Sequence, residues 1–295
     1  MRRITIIGIG RVGGALTIAL DRAGFQLDQL VFRSDANLGV IEKNLSREAK
    51  FTTYSEFSGT SADICIISSG DGEIEKIASS IALFELLPKI VLHTSGVLAS
   101  DVLVKMRDVG ASVGSMHPLV AVSDPVLGAD RFENSYFCLE GDKEAVEAAE
   151  AIIRAIGGMS FSIDTRYKAL YHASAVMAAG HLVALVDTAI ETLSKCGIDR
   201  KNAQEVIFPL IESTVRNLGV QDPADALTGP YARGDVETFE RHMKAFEDDV
   251  GKGVQKIYLD LALHSVEMLL QKDPSSERHR ELYELISVAK QKCGC

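Results

Sequence analysis

The chain lacks a basic surplus. Its 295 residues carry 31 Lys and Arg against 41 Asp and Glu, a formal net charge of −10. Nucleic acid and anionic membrane both require a basic surface, so neither is an expected partner. A local basic pocket for a phosphorylated cofactor is compatible with the total. Cysteine is scarce and unpatterned. Cys65, Cys138, Cys196, Cys293 and Cys295 show no framework spacing, which argues against a disulfide scaffold. Cys65 and Cys138 lie in apolar runs and read as small buried hydrophobes. The terminal CGC reads as a frayed tail rather than a metal or redox site, and no metal is expected. The opening MRRITIIGIG is too short for a signal segment with a cleavage site and reads as a first strand. With the odd cysteine count it leads us to expect a reducing cytoplasm. Repeats, low-complexity tracts and disordered linkers are missing as well.

Hydrophobic residues make up 46% and charged residues 24%, enough for a sizeable core. Through the first half, short β-branched runs alternate with amphipathic stretches. Strands are predicted at 4–8, 30–33, 63–68, 89–94, 111–116 and 135–140. Helices are predicted at 13–23, 73–83, 99–109 and 143–156. This is the βαβ rhythm of a doubly wound parallel sheet. After about residue 164 the rhythm stops, and the rest reads as helix only: 166–195, 199–218 entered through Asp199, 235–247, 252–272 and 276–291. The predicted organisation is an α/β dinucleotide-binding domain over 1–164 and an all-α domain over 165–295. The segment 173–190 is apolar on nearly every side. Its length would suit a membrane, but His181 and Asp187 interrupt it, so a fully buried helix is expected. Such a helix needs cover on all sides, which suggests a homodimer through the helical domain.

The run ITIIGIGRVGGAL holds Gly8, Gly10, Arg11, Val12 and Gly13 between an apolar strand and a helical pattern. That context gives the Gly-x-Gly-x-x-Gly spacing its meaning. Gly8 would make the turn, Gly10 would admit a pyrophosphate, and Gly13 would let helix and strand pack closely. NAD-binding versions place an acid at the end of the second strand. Here that strand ends LVFRSDAN, with Arg33 and Ser34 at the position and Asp35 just after. A guanidinium and a hydroxyl suit a 2′-phosphate, so the expected cofactor is NADP (NADPH). Ser68 and Ser69, at the end of DICIISS, should border the same crevice.

Two further strand ends carry polar clusters: His93, Thr94, Ser95 and Gly96 in KIVLHTSGV, and His117 in VGSMHPL. Both would open on the cofactor crevice of a doubly wound sheet. In RYKALYHASAV, Lys168 and His172 stand four apart, on one face of a helix.

In order along the chain, GIGRVGGAL, HTSG, GSMHPL, YHASAV and LTGPYARGD span Gly8 to Asp235. By these motifs the whole chain resembles the Rossmann-like family whose C-terminal domain is of the DUF2520 type. More distantly it is similar to 6-phosphogluconate and β-hydroxyacid dehydrogenases and ketopantoate reductases. In that group a long helix opening the substrate domain carries Lys-x-x-x-Asn, the lysine moving the proton and the asparagine orienting the substrate. The resemblance implies that Lys168 is the acid/base, with His172 where the group has asparagine. It also makes ketopantoate reduction a specific expectation.

The chemistry of the residues agrees, since an alkoxide formed by hydride delivery must take a proton and a partly buried lysine can give it. The His-Pro at 117–118 resembles the HPM motif of prephenate dehydrogenases, which makes His117 a competing proton carrier. In LTGPYARGD, Arg233 offers a planar cation to a substrate carboxylate, and Asp235 reads as the cap of the next helix. The expectation is an NADP-dependent oxidoreductase acting on the CH–OH group of a small carboxylate. The alternatives are a non-enzymatic NADP-binding or regulatory protein and a prephenate-dehydrogenase-like enzyme. A reduced deazaflavin as hydride partner is a further possibility that no feature demands.

Overall fold

The computed structural model describes residues 2–33 and 38–294, with the backbone only at 247–249. Two compact units divide at residue 180. The first contains β1 (Arg3–Ile7), α1 (Arg11–Arg22), β2 (Gln26–Phe32), α2 (Gly39–Lys43), β3 (Lys50–Thr53), β4 (Ile64–Ile67), α3 (Asp71–Ile81), β5 (Ile90–His93), α4 (Val104–Asp108), β6 (Ser112–Pro118), α5 (Pro125–Asp130), β7 (Tyr136–Gly141), α6 (Lys143–Ala155), β8 (Met159–Ser162) and α7 (Lys168–Val176). The second contains α8 (Leu182–Ser194), α9 (Arg200–Leu218), α10 (Pro223–Ala226), α11 (Gly229–Arg233), α12 (Val236–Asp249), α13 (Lys252–Lys272) and α14 (Glu277–Cys293).

The strands form one sheet in the order β3-β2-β1-β4-β5-β6-β7-β8. Every pairing is parallel except β6 with β7. Strand order reverses between β1 and β4, and the crevice of such a sheet opens at that switch point. Register aligns Ile7 with Ile67, Ile67 with His93, and His93 with Ser115. The residues that follow these four therefore emerge along one edge. Alternation buries β1 on both faces, as a central parallel strand requires. Ile4 and Ile6 join the core cluster with Leu16, Phe132 and Phe137, while Ile7 joins the cluster with Val31, Cys65, Ile67 and Ile74. Cys65 and Cys138 are buried as expected. In the second unit a smaller core gathers Phe239, Leu259, Val266, Leu282 and Ile286 from α12, α13 and α14.

The expected strands and helices are present, and six short elements are additional: β3, β8, α2, α5, and α10 and α11 in the stretch between the helices expected at 199–218 and 235–247. β3 and β8 are four residues each, and β8 is a largely exposed edge whose alternation, Met159 to Ser162, is too short to announce a strand. α5 is nucleated by Asp124, whose carboxylate accepts from the Val126 and Leu127 amides ahead of Pro125 at the first turn. The first unit also runs past the expected boundary at 164. It takes in α7, and the division falls inside a π-helical turn, Met177–His181, that joins α7 to α8. Burial of the long apolar helix is not observed within the chain. The stretch Thr165–Ser194 is long and apolar enough to cross a membrane by length and composition, and only 6% of its most apolar window is buried.

Candidate active site

The glycine turn does at backbone level what its spacing predicts. Gly8 has φ of 92°, and a β-carbon on it would stand 2.6 Å from the Ser69 hydroxyl oxygen and 2.8 Å from the Ser68 carbonyl. A β-carbon on Gly13 would lie 2.0 Å from the Gly8 carbonyl oxygen, so only glycine lets α1 approach β1 this closely. Gly10 is the N-cap of α1 and no side chain caps that end. A β-carbon on Gly10 would meet nothing within 4 Å. Open space thus faces the free amides of a 12-residue helix, where an anion is favoured.

This end of α1 borders a cavity of about 450 Å3 lined by Gly8, Gly10, Arg11, Arg33, Ser68, Ser69 and Glu73, with Phe32, Ile41, Tyr54 and Pro125 among its walls. Val12 packs against the core instead. Arg33, at the end of β2, pairs with Glu73 at the first turn of α3. The Tyr54 hydroxyl lies 2.6 Å from the Ser69 hydroxyl, and burial raises its pKa. Tyr54 and Glu73 escaped the sequence reading because neither belongs to a motif. Ser34 and Asp35 lie outside the described residues. A glycine-tight turn, an open helix end and a guanidinium on one cavity fit a phosphorylated dinucleotide.

Further along the edge, the Thr94 hydroxyl donates to Ser68 Oγ at 3.0 Å. The next residues are less available than expected. Ser95 is buried and its Oγ accepts from the Val97 and Leu98 amides. His93 is fully buried, with Nδ1 accepting from the Ser95 amide. Burial, then the nearby Lys168, pushes its pKa down to about 4. Both residues shape the turn from within. Gly96 is different. A β-carbon there would stand 2.4 Å from His172 Nδ1 and 2.7 Å from His117 Nε2.

His117, at the end of β6, and His172, on α7, thus converge in front of Gly96. Their rings meet edge to face at 5.7 Å. His117 Nδ1 lies 2.7 Å from the Tyr171 hydroxyl. His172 Nδ1 is buried with no partner among the described residues. Burial, followed by His172 and Lys168, pushes the His117 pKa down to about 4, so the imidazole is neutral at neutral pH. A cavity of about 440 Å3 opens here, walled by His117, Pro118, His172 and the α7 face that runs on to Gly180. Tyr171 was missed in the sequence, where it reads as one more aromatic on an apolar helix.

Lys168 does not face this cavity. It is 2% exposed, and its ammonium donates to Ser115 Oγ and, at 3.1 Å, to Glu140 Oε1. Glu140, itself buried, also accepts from the Ser100 amide at 2.9 Å and the Ser100 hydroxyl at 2.7 Å. The lysine that the resemblance makes the acid/base is a buried, paired cation. Arg233 is on α11 of the second unit, with its guanidinium 3.6 Å from the Asp235 carboxylate. Asp235 caps α12 as expected, accepting from the Thr238 amide. No group of three or more potential metal ligands occurs among the described residues. The Cys293 thiol is 3.8 Å from Gln255, and Cys295 lies outside the described residues.

The sheet order, the switch point and the glycine turn are those of a Rossmann-like domain, and residues 2–118 match that family. Residues 135–265 match a domain of unknown function, DUF2520. The chain thus matches the two domain models one after the other. No curated protein matches it. Among solved structures it is similar to a candidate NADP oxidoreductase of Bacteroides fragilis, at 23% identity and a TM-score of 0.73 over 90% of this chain and 97% of that one. It is also similar to pyrroline carboxylate reductase of Plasmodium falciparum with NADP bound, at 13% identity and a TM-score of 0.58 over 96% and 98% of the two chains. A reductive aminase of Aspergillus terreus in complex with NADPH matches at 15% identity and a TM-score of 0.56 over 99% and 94%. These are likenesses of fold.

Proposed function

We propose that this protein is an NADP-dependent oxidoreductase that reduces a C=O or C=N group of a small carboxylate, with ketopantoate and other 2-oxo acids as first candidates. One observation carries the reading: the ends of β1, β4, β5 and β6 bring the glycine-lined cavity and the His117–His172 pair to a single sheet edge. Bound NADPH would supply a hydride. The amides at the start of α1 would hold its pyrophosphate, and Arg33, drawn from Glu73, would hold a 2′-phosphate. His117 Nε2 and His172 Nδ1 would grip the substrate oxygen or nitrogen in front of Gly96 and present a proton to it.

Reduction of C=N is the second reading, favoured by the likeness in fold to a pyrroline carboxylate reductase and a reductive aminase. The discriminating assay follows nicotinamide absorbance with a panel of 2-oxo acids and cyclic imines. Consumption with an oxo acid supports the first reading, and consumption only with imines supports the second. A flat signal across the panel, with NADPH bound, would assign the chain to the non-enzymatic class.

The proposed partner is a second copy of this chain, seated on α8 and α9. Both helices leave large apolar side chains in solvent, with Val183 71% and Phe208 54% exposed. Large apolar side chains left exposed on neighbouring helices are characteristic of an interface.

A further inference from the structure

The strand β6 and the helix α7 are tied by two rungs. On β6, Ser115 and His117 are two apart and so point to one face of the sheet. On α7, Lys168 and Tyr171 are three apart and so share one side of the helix. One rung joins Ser115 to Lys168, the other His117 to Tyr171. Each rung extends to β7, because register places Glu140 opposite Ser115 and Cys138 opposite His117. The first rung is closed and charged, with Lys168 and Glu140 both buried and Glu140 anchored to Ser100. The second borders the cavity.

We propose that Lys168 is a positioning residue: paired with Glu140, it pins the first turn of α7 to the sheet so that Tyr171 donates to His117 Nδ1, and its fixed positive charge disfavours a second one on that imidazole. The proton of neutral His117 then sits on Nε2, the atom beside Gly96 and the cavity. Tyr171 stays protonated, since burial raises its pKa. The groups facing His117 are Lys168, Tyr171 and His172 from α7, His93 from β5, Asp71 from α3, and Cys138 and Glu140 from β7. Of these, His172, Lys168 and His93 oppose a charge on His117, and Asp71 favours it.

The inference rests on His117 belonging to the site, yet its test needs neither cofactor nor substrate. Histidine-labelled protein is titrated by NMR, with His117→Asn identifying the resonance. Wild type should titrate at about 4. The double variant Lys168→Met/Glu140→Gln replaces the ion pair with a neutral pair of similar size, and avoids leaving a buried carboxylate unpaired. In it the His117 midpoint should rise by about one unit and the Nδ1-acceptor signature should weaken. Lys168→Arg keeps the charge and should keep the low midpoint. Equal midpoints in wild type and the double variant, or a rise in Lys168→Arg as large as in the double, would overturn the proposal. If the midpoints behave as expected while no NADPH is consumed with any substrate, the rung stands and the functional reading falls.

Discussion

Gly96 and His172 are held so close that a β-carbon on the glycine would stand 2.4 Å from the imidazole Nδ1, and 2.7 Å from Nε2 of His117 beyond it. Gly96→Ala must therefore push both rings aside. The glycine turn at Gly8–Gly13 is untouched by the change. Expected are unaltered NADPH affinity by fluorescence titration and a fall in kcat/KM of at least about tenfold, the scale of one misplaced contact at a reacting centre. Full turnover in Gly96→Ala would remove the histidine pair from the chemistry.

Arg33 and Glu73 make a second test. The carboxylate holds the guanidinium that a 2′-phosphate would claim. Arg33→Ala should weaken NADPH binding by about tenfold, roughly 1.4 kcal/mol, and leave NADH nearly unchanged. Glu73→Gln should act the other way and tighten NADPH by freeing the arginine. Parallel titrations of both nucleotides decide the matter, and equal losses for the two would contradict a 2′-phosphate contact.

Gly13→Ala is expected to be severe, because its β-carbon would meet backbone, the Gly8 carbonyl oxygen at 2.0 Å, which no rotamer change can relieve. The cost should be about 3 kcal/mol, at the upper end of overpacking. Urea denaturation reads it. Gly10→Ala, whose β-carbon meets nothing, should fold normally and lose nucleotide affinity.

Acid should weaken the fold through its buried histidines. His93 has a folded pKa of about 4 against 6.5 for an ordinary histidine. Between those values the unfolded chain binds a proton that the folded chain refuses, so stability is complete above about pH 6.5 and declines as pH falls to 4. His93 alone accounts for about 3 kcal/mol of that loss, and His117 adds to it in the same direction. Urea midpoints measured across this range should fall steadily in wild type and less steeply in His93→Asn. Parallel slopes would show that His93 is not the titrating group.

The uncovered helices α8 and α9 give the last expectation. Sedimentation should return twice 31.9 kDa, and Val183→Glu with Phe208→Glu should return the single mass. A monomeric wild type that binds lipid vesicles would identify the apolar face as a membrane contact instead.

The glycine turn was largely legible in the sequence. Gly8, Gly10 and Gly13 act through the backbone, and backbone demands are local, so spacing beside a strand announces them. The His117–His172 corner was legible only in part. His117 and His172 stood out as titratable groups near a strand end and a helix start. Tyr171 did not, since its role comes from a partner 54 residues away. Lys168 stood out for its spacing, which says nothing of its burial or of its pairing with Glu140. Four-residue spacing puts it on the same helix face as His172, but which way a lysine's long stem reaches is set by what lies beneath it.

The amino-acid sequence alone determined the α/β then all-α order, the switch-point turn and the polar strand ends, because hydrophobic period and glycine placement are properties of short windows of chain. The tertiary structure alone decided that Lys168 turns inward to Glu140 while His117 and His172 border a cavity, with Tyr171 hydrogen-bonded behind His117. Glu140 lies 28 residues before Lys168 and Ser115 lies 53 before it. Only the pairing of β6 with β7 brings that carboxylate and hydroxyl side by side. A buried ammonium costs several kcal/mol unless it meets such partners, so its direction was settled by the sheet and not by the helix that carries it.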